Sequence, residues 1–227
     1  MRAAVAATLV LTLLLPSLSA AQPLAPGPPQ DEIVLPAAIP LFPLPDIGLF
    51  PNISQPFNIF EPRYREMIAD ALEGDRIIGM VMLRPGFEAD YDGRPPVYGI
   101  GCAGTIVDHE LLPDGRYAIV LRGLVKFRIV SEDQSRPYRL AAVEPLPETI
   151  DDEMRLKLKA QRDRVVTVLL EVAPNAQAPP PAVADEDVIN TLAQLLPMEP
   201  ADRQVLLEKD GPFERSETLL DLLELMR

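Results

Sequence analysis

The residues that could do chemistry in this chain are few: one cysteine, Cys102, and one histidine, His109, in 227 residues. Nucleophilic catalysis needs a base beside the nucleophile, so these two form the sole Cys–His candidate. Both fall in residues 99–112, a stretch of small and β-branched residues that reads as a strand. A separation of seven puts them on opposite faces of a regular strand, and a bulge would be needed to bring them to one side. The reading is a buried structural thiol and an exposed imidazole near a strand end. The pair is also too small a set for a zinc cage, which takes about four N or S ligands, and a single thiol closes no internal disulfide. The sequence contains no Gly-x-Ser-x-Gly and no Gly-x4-Gly-Lys-Ser/Thr phosphate cradle, and its serines and lysines show no diagnostic spacing. No cofactor, metal or catalytic residue is expected.

Carboxylates are plentiful, and their positions suggest structure. Asp151-Asp152-Glu153 and Asp185-Glu186-Asp187 each precede a helical pattern, where negative charge complements the positive end of the helix. Asp90-Tyr91-Asp92-Gly93 starts like a calcium loop but lacks the later ligands, and reads as a turn. Nothing nominates the paired acids that glycoside hydrolysis uses. The balance of 34 acidic to 21 basic residues gives a net charge of −13, which repels phosphate backbones, so nucleic acid is not an expected partner.

The elements that would position these groups begin after a leader. Met1-Arg2, an uncharged apolar run over residues 3–15, and small residues at 17 and 19–21 have the order of a signal peptide with cleavage after Ala21. The run falls short of the roughly 20 residues that cross a bilayer, and no cysteine follows it to carry a lipid. An exported, periplasmic or secreted protein is expected, with no integral membrane segment after cleavage. Residues 22–36 are a proline-rich spacer, part of a total of 26 prolines. Residues 39–44 and 55–60 read as edge strands because both carry proline, which a central ladder tolerates poorly. A helix over residues 61–72 starts at Pro62, stops at Gly74, and buries Tyr64, Met67, Ile68, Ala71 and Leu72.

Strands are expected over 76–83, 99–112, 116–121, 124–130 and 138–143. Residues 112–116 form a hairpin turn around Asp114-Gly115. In the fourth of these strands Val125, Phe127 and Ile129 alternate with Lys126 and Arg128. Helices follow: one opened by Asp151 with Met154, Leu158, Val165, Val168, Leu169 and Val172 inward, one opened by Asp185, one started by Pro200, and one over 216–226 with Leu219, Leu222, Leu223 and Met226 inward. The fold class is therefore α+β: a small twisted or barrel-like sheet with one early helix over 37–147, then a helical bundle over 148–227.

Four stretches carry a family resemblance. Residues 39–52, with Pro40, Pro43, Pro45, Gly48 and Pro51 spaced among apolar residues, run into Phe60-Glu61-Pro62-Arg63-Tyr64-Arg65. Residues 97–107, with Gly99, Gly101 and Gly104, lead to Leu112-Pro113-Asp114-Gly115-Arg116-Tyr117. The third is residues 121–129 around Gly123, and the fourth is residues 195–208 with Pro197 and Pro200. Together, from about residue 37 to 226, they resemble the Lon protease N-terminal, substrate-binding domain family, as a stand-alone exported member. The resemblance implies a PUA-like β domain followed by helices, and a non-catalytic module that binds unfolded or flexible polypeptides without the ATPase and protease domains of Lon. A structural adaptor docking on one envelope protease is the alternative, and an unrecognised hydrolase the third. If peptides bind along the proline-bearing segment 39–60, Phe42, Phe50, Phe57 and Phe60 are the candidate anchors; core packing is the competing role for each.

Overall fold

A strand inside a sheet has two neighbours, and proline fits there only where one flank is vacant. The computed structural model describes residues 32–91 and 93–227, apart from the side chain of Glu88. The expected leader and residues 22–31 of the spacer lie outside the described residues. Six strands follow in order: β1 (Ile39–Leu44), β2 (Ser54–Ile59), β3 (Ile77–Met82), β4 (Ile100–Leu111), β5 (Tyr117–Asp133) and β6 (Arg139–Leu146). Helix α1 (Pro62–Glu73) lies between β2 and β3, and α2 (Asp152–Val172), α3 (Asp185–Leu195), α4 (Pro200–Glu208) and α5 (Pro212–Leu225) come after β6.

The sheet order is β2-β5-β4-β3-β1-β6, and β6 pairs again with β5, so five strands form a ring and β2 lies outside it on β5. Only β1 and β3 are parallel among the ladders described. The expectation that residues 39–44 form an edge is therefore corrected: β1 lies between β3 and β6. Its prolines are tolerated because the two ladders barely overlap. Pairing with β6 covers Ile39–Leu41 and pairing with β3 covers Leu41–Leu44, so Pro40 precedes one ladder and Pro43 lies beyond the other. Each proline has a flank where no N–H is needed. Strand β2, by contrast, is an edge, with Pro56 at its centre opposite Val120.

The two strands expected over 116–121 and 124–130 are one strand of 17 residues, β5. Gly123, read as a break, is there for close approach. A Cβ on it would lie 2.0 Å from the Phe50 carbonyl oxygen, and its N–H and C=O bond Ile53 O and Asn52 N, each at 2.9 Å. The hairpin turn is as expected, with Gly115 at φ +81°. Helix α1 buries Tyr64, Met67, Ile68 and Ala71 of the expected stripe, and Leu72 is half-buried against the same cluster.

Two apolar clusters divide the core. One, with Ile39, Leu41, Val81, Ala103, Val125, Phe127 and Ala141, is enclosed by the returning ladder, and Ile33 and Leu35 of the preceding segment pack against it. Room for the Phe127 ring comes from Gly101, whose Cβ would lie 2.3 Å from Met80 O and 2.9 Å from that ring. The other cluster lies between the sheet and the helices and holds Phe42, Phe50, Met80, Cys102 and Ile119 with Leu158, Ile189, Leu206 and Leu219. Helix α5 packs on α2, α3 and α4. It starts at Pro212, four residues before the expected start, and buries Leu219, Leu220 and Leu223; Met226 is 52% exposed. No helix of the described residues is long and apolar enough to cross a membrane.

Replacing Gly123 with Ala pushes a methyl group into the Phe50 backbone, and the expected destabilisation is about 1–3 kcal/mol. Urea unfolding of the two proteins measures it, with Gly99→Ala as the comparison, since nothing lies within 4 Å of a Cβ there.

Candidate functional site

The Cys–His pair is settled by the register of β4. An extra residue, Val107, lies between Ile106 opposite Leu121 and Asp108 opposite Val120. This bulge returns His109 to the face of Ile119, which shares a buried cluster with Cys102. Facing alone does not make a dyad. Seven residues of strand at about 3.3 Å each keep the two about 20 Å apart. Cys102 has no solvent exposure and its Sγ lies 3.5 Å from Ala103 O, while His109 is exposed. Burial, and then the nearby Glu148 carboxylate, push the Cys102 thiol far up from its ordinary range, so it stays a neutral thiol.

The acidic clusters are structural. Asp151 accepts the Met154 N–H at 2.7 Å and caps α2. Asp185 pairs with Arg162 at 3.1 Å, and Asp187 accepts from Asn52 Nδ2 at 2.9 Å. The turn at residues 90–93 closes with a Gly93 N–H to Asp90 O bond of 2.8 Å. The Arg63 guanidinium fastens that turn by donating to Tyr91 O and Gly93 O, and stacks over the rings of Tyr64 and Tyr91.

The four candidate anchors separate. Phe42 and Phe50 are 6% and 0% exposed and belong to the core. Phe57 is half-buried, edge-on to Phe42 at 5.7 Å between centroids. Phe60 is 65% exposed. The open surface lies on the outer arm of the sheet, where β2, β5 and the last part of β4 run side by side. A groove of about 400 Å³ there is lined by residues that include Pro56, Phe57, Asp108, Glu110 and Val120.

Sequence reasoning missed the polar seam that joins helices to sheet. Lys126 does not face outward: it is 3% exposed, because the helices cover that face of β5. Its Nζ lies 3.0 Å from Glu148 Oε1 and also donates to Lys209 O. Glu148, in the link from β6 to α2, accepts two guanidinium N–H groups of Arg215, which has no exposed surface. Arg215 further donates to Leu206 O at 3.0 Å and to Asn190 Oδ1, and its guanidinium lies 5.2 Å from the centre of the Phe50 ring. The segment between β1 and β2 is gripped from the same side. Arg203 Nη1 donates to Asp46 O at 2.9 Å, Gln194 Nε2 to Gly48 O at 2.8 Å, and Asn190 Nδ2 to Pro51 O at 3.1 Å. The available signal was a set of amide and guanidinium side chains on otherwise apolar helix stripes.

Comparison with known proteins bears on the whole arrangement. A family profile described as the ATP-dependent protease La (LON) substrate-binding domain matches residues 38–224. A Lon protease of Cytophaga hutchinsonii is 25% identical over 203 residues, which cover 86% of this chain and 25% of that one. Lon protease 2 of Myxococcus xanthus is 26% identical over 217 residues, covering 92% and 25%. The chain spans about a quarter of the length of these curated relatives. In fold it is similar to a Lon N-terminal domain protein from Xanthomonas campestris, with a TM-score of 0.55, 24% identity, and coverage of 81% of this chain and 97% of that one. The N-terminal domain of a Mycobacterium avium complex Lon protease gives a TM-score of 0.59 at 18% identity, covering 82% and 98%.

Two measurements check the site's chemistry. Arg215→Met strands the Glu148 carboxylate beside one cation and is expected to destabilise by about 3–5 kcal/mol; Arg227→Ala, at an exposed pair, by no more than about 1 kcal/mol. A thiol reagent at pH 8 should label Cys102 only in denaturant. Because the folded-state thiol pKa is raised, this contribution to stability is complete below the unfolded value of about 8.5 and is lost as pH rises above it.

Proposed function

The chain belongs to the family of Lon substrate-binding domains, and from that premise we propose that it is an exported polypeptide-binding module that does no chemistry on what it holds. The observation that carries the reading is the extent of the family match, residues 38–224, which takes in both the sheet and the helices rather than a fragment of either. The distance between Cys102 and His109 supports the non-catalytic part. A net charge of −13 over the sequence supports a protein partner over nucleic acid. Export rests on residues 1–21, whose charge, apolar run and small-residue tail match a cleavable leader.

In this reading the clients are unfolded or flexible chains, which expose backbone and apolar side chains that a folded protein hides. Phe60, just past the end of β2, is the most exposed of the four aromatic candidates and the anchor with the most surface to offer.

Immobilised full chain should retain a panel of unfolded polypeptides, release their native forms, and generate no new termini in them on prolonged incubation. Retention of one folded protease with indifference to unfolded chains would replace the reading with that of an adaptor. N-terminal sequencing of the protein recovered from outside the cytoplasm should begin at Gln22; recovery of an intact Met1 inside it would remove export.

A further inference from the structure

We propose that the open edge of β4 from Val107 to Leu111 takes up an extended polypeptide as an added strand, and selects segments in which basic and apolar residues alternate. The inference rests on the polypeptide-binding reading and says where the chain grips and what it prefers.

The ladder between β3 and β4 ends at Thr105, and the last bond on that side is from the Ile106 N–H to Arg76 O at 2.8 Å. The ladder to β5 continues to Leu111 opposite Tyr117. From Val107 onward no described strand pairs with the other flank of β4, and residues 107–111 are exposed. The sheet's second open edge, β2, has Pro56 at its centre, which withholds an N–H and guards it. The β4 edge contains no proline and offers a run of main-chain donors and acceptors, which is what strand addition uses.

Register fixes the preference. Asp108 lies opposite Val120 and Glu110 opposite Ala118, so the two carboxylates share one face of the sheet. His109 lies opposite Ile119, which lies opposite Phe57 on its other side, so these three form a row on the other face. An added strand continues both patterns. Its residues beside Asp108 and Glu110 are two apart, and opposite charge there is favourable, while the residue between them extends the row of Phe57, Ile119 and His109 and suits an apolar side chain.

Asp108 also works as a guard. Its Oδ1 accepts the His109 N–H at 2.9 Å, which occupies an edge donor in the free protein. A second copy of this acidic chain is repelled from such an edge, whereas a Lys or Arg drawn alongside takes the carboxylate away from that donor.

The test is fluorescence anisotropy with the full chain and short labelled peptides. A Lys/Val alternating peptide is expected to bind about tenfold tighter than its Glu/Val counterpart, and raised salt to narrow the gap. N-methylation of one alternate set of its amides should abolish binding, and of the other set should not, because an added strand turns one set toward β4. Asp108→Lys with Glu110→Lys should reverse the preference, and His109→Pro, which removes a donor already given to a side chain, should weaken every peptide. Equal binding of both N-methylated peptides and the parent would overturn the proposal, as would a Lys preference that survives charge reversal. The N-methylated peptides need no variant, so the result stands if a variant fails to fold. Should the unfolded panel bind while these peptides show no edge dependence, this inference alone is lost; failure of the panel itself removes the reading beneath it.

Discussion

Everything in this molecule is organised around one buried carboxylate. Glu148 lies between the Lys126 ammonium and the Arg215 guanidinium, and all three side chains are nearly or wholly withdrawn from water. Taking ions out of water costs several kcal/mol each, so the arrangement holds only if every lone pair and proton is met. The extra positive charge is absorbed by the carbonyls of Leu206 and Lys209 and the side-chain oxygen of Asn190. The three charges come from the sheet, from the link and from the last helix, so none of these pieces can move off without stranding an ion.

The segment from Asp46 to Asn52 shows the same logic with neutral groups. It has no ladder of its own, and its main-chain carbonyls would be orphaned under the helices. Asn190, Gln194 and Arg203 supply the donors, and Gly123 lets the segment lie against β5. Packing is thereby specific where apolar contact alone would let the helices slide, because each donor meets one carbonyl.

Local signals in the sequence carried the elements well. Pro62 and Gly74 bracket α1, Asp114-Gly115 makes the hairpin turn, and Asp151 caps α2. What failed depended on partners distant in sequence. Lys126 alternates with apolar neighbours like any solvent-facing residue, and its burial follows from α5, ninety residues on. Pro40 and Pro43 argued for an edge, and only the offset of two ladders shows why an inner strand tolerates them. Gly123 looked like a break because the backbone that approaches it belongs to another segment. Of the four aromatic candidates, periodicity could not separate Phe42 and Phe50, which face the helices, from Phe60, which faces water.

The prolines of β1 bear on how the chain survives its own synthesis. Ile39 emerges long before Ala141, its partner across the ladder, so the flank of β1 that β6 finally covers is left waiting while most of the domain is made. A bare, regular strand in that interval would be a template for a neighbouring nascent chain. With no N–H at residue 43, that flank of β1 is a poor template beyond Leu41, and the correct strand pairs only with Ile39–Leu41, short of the gap.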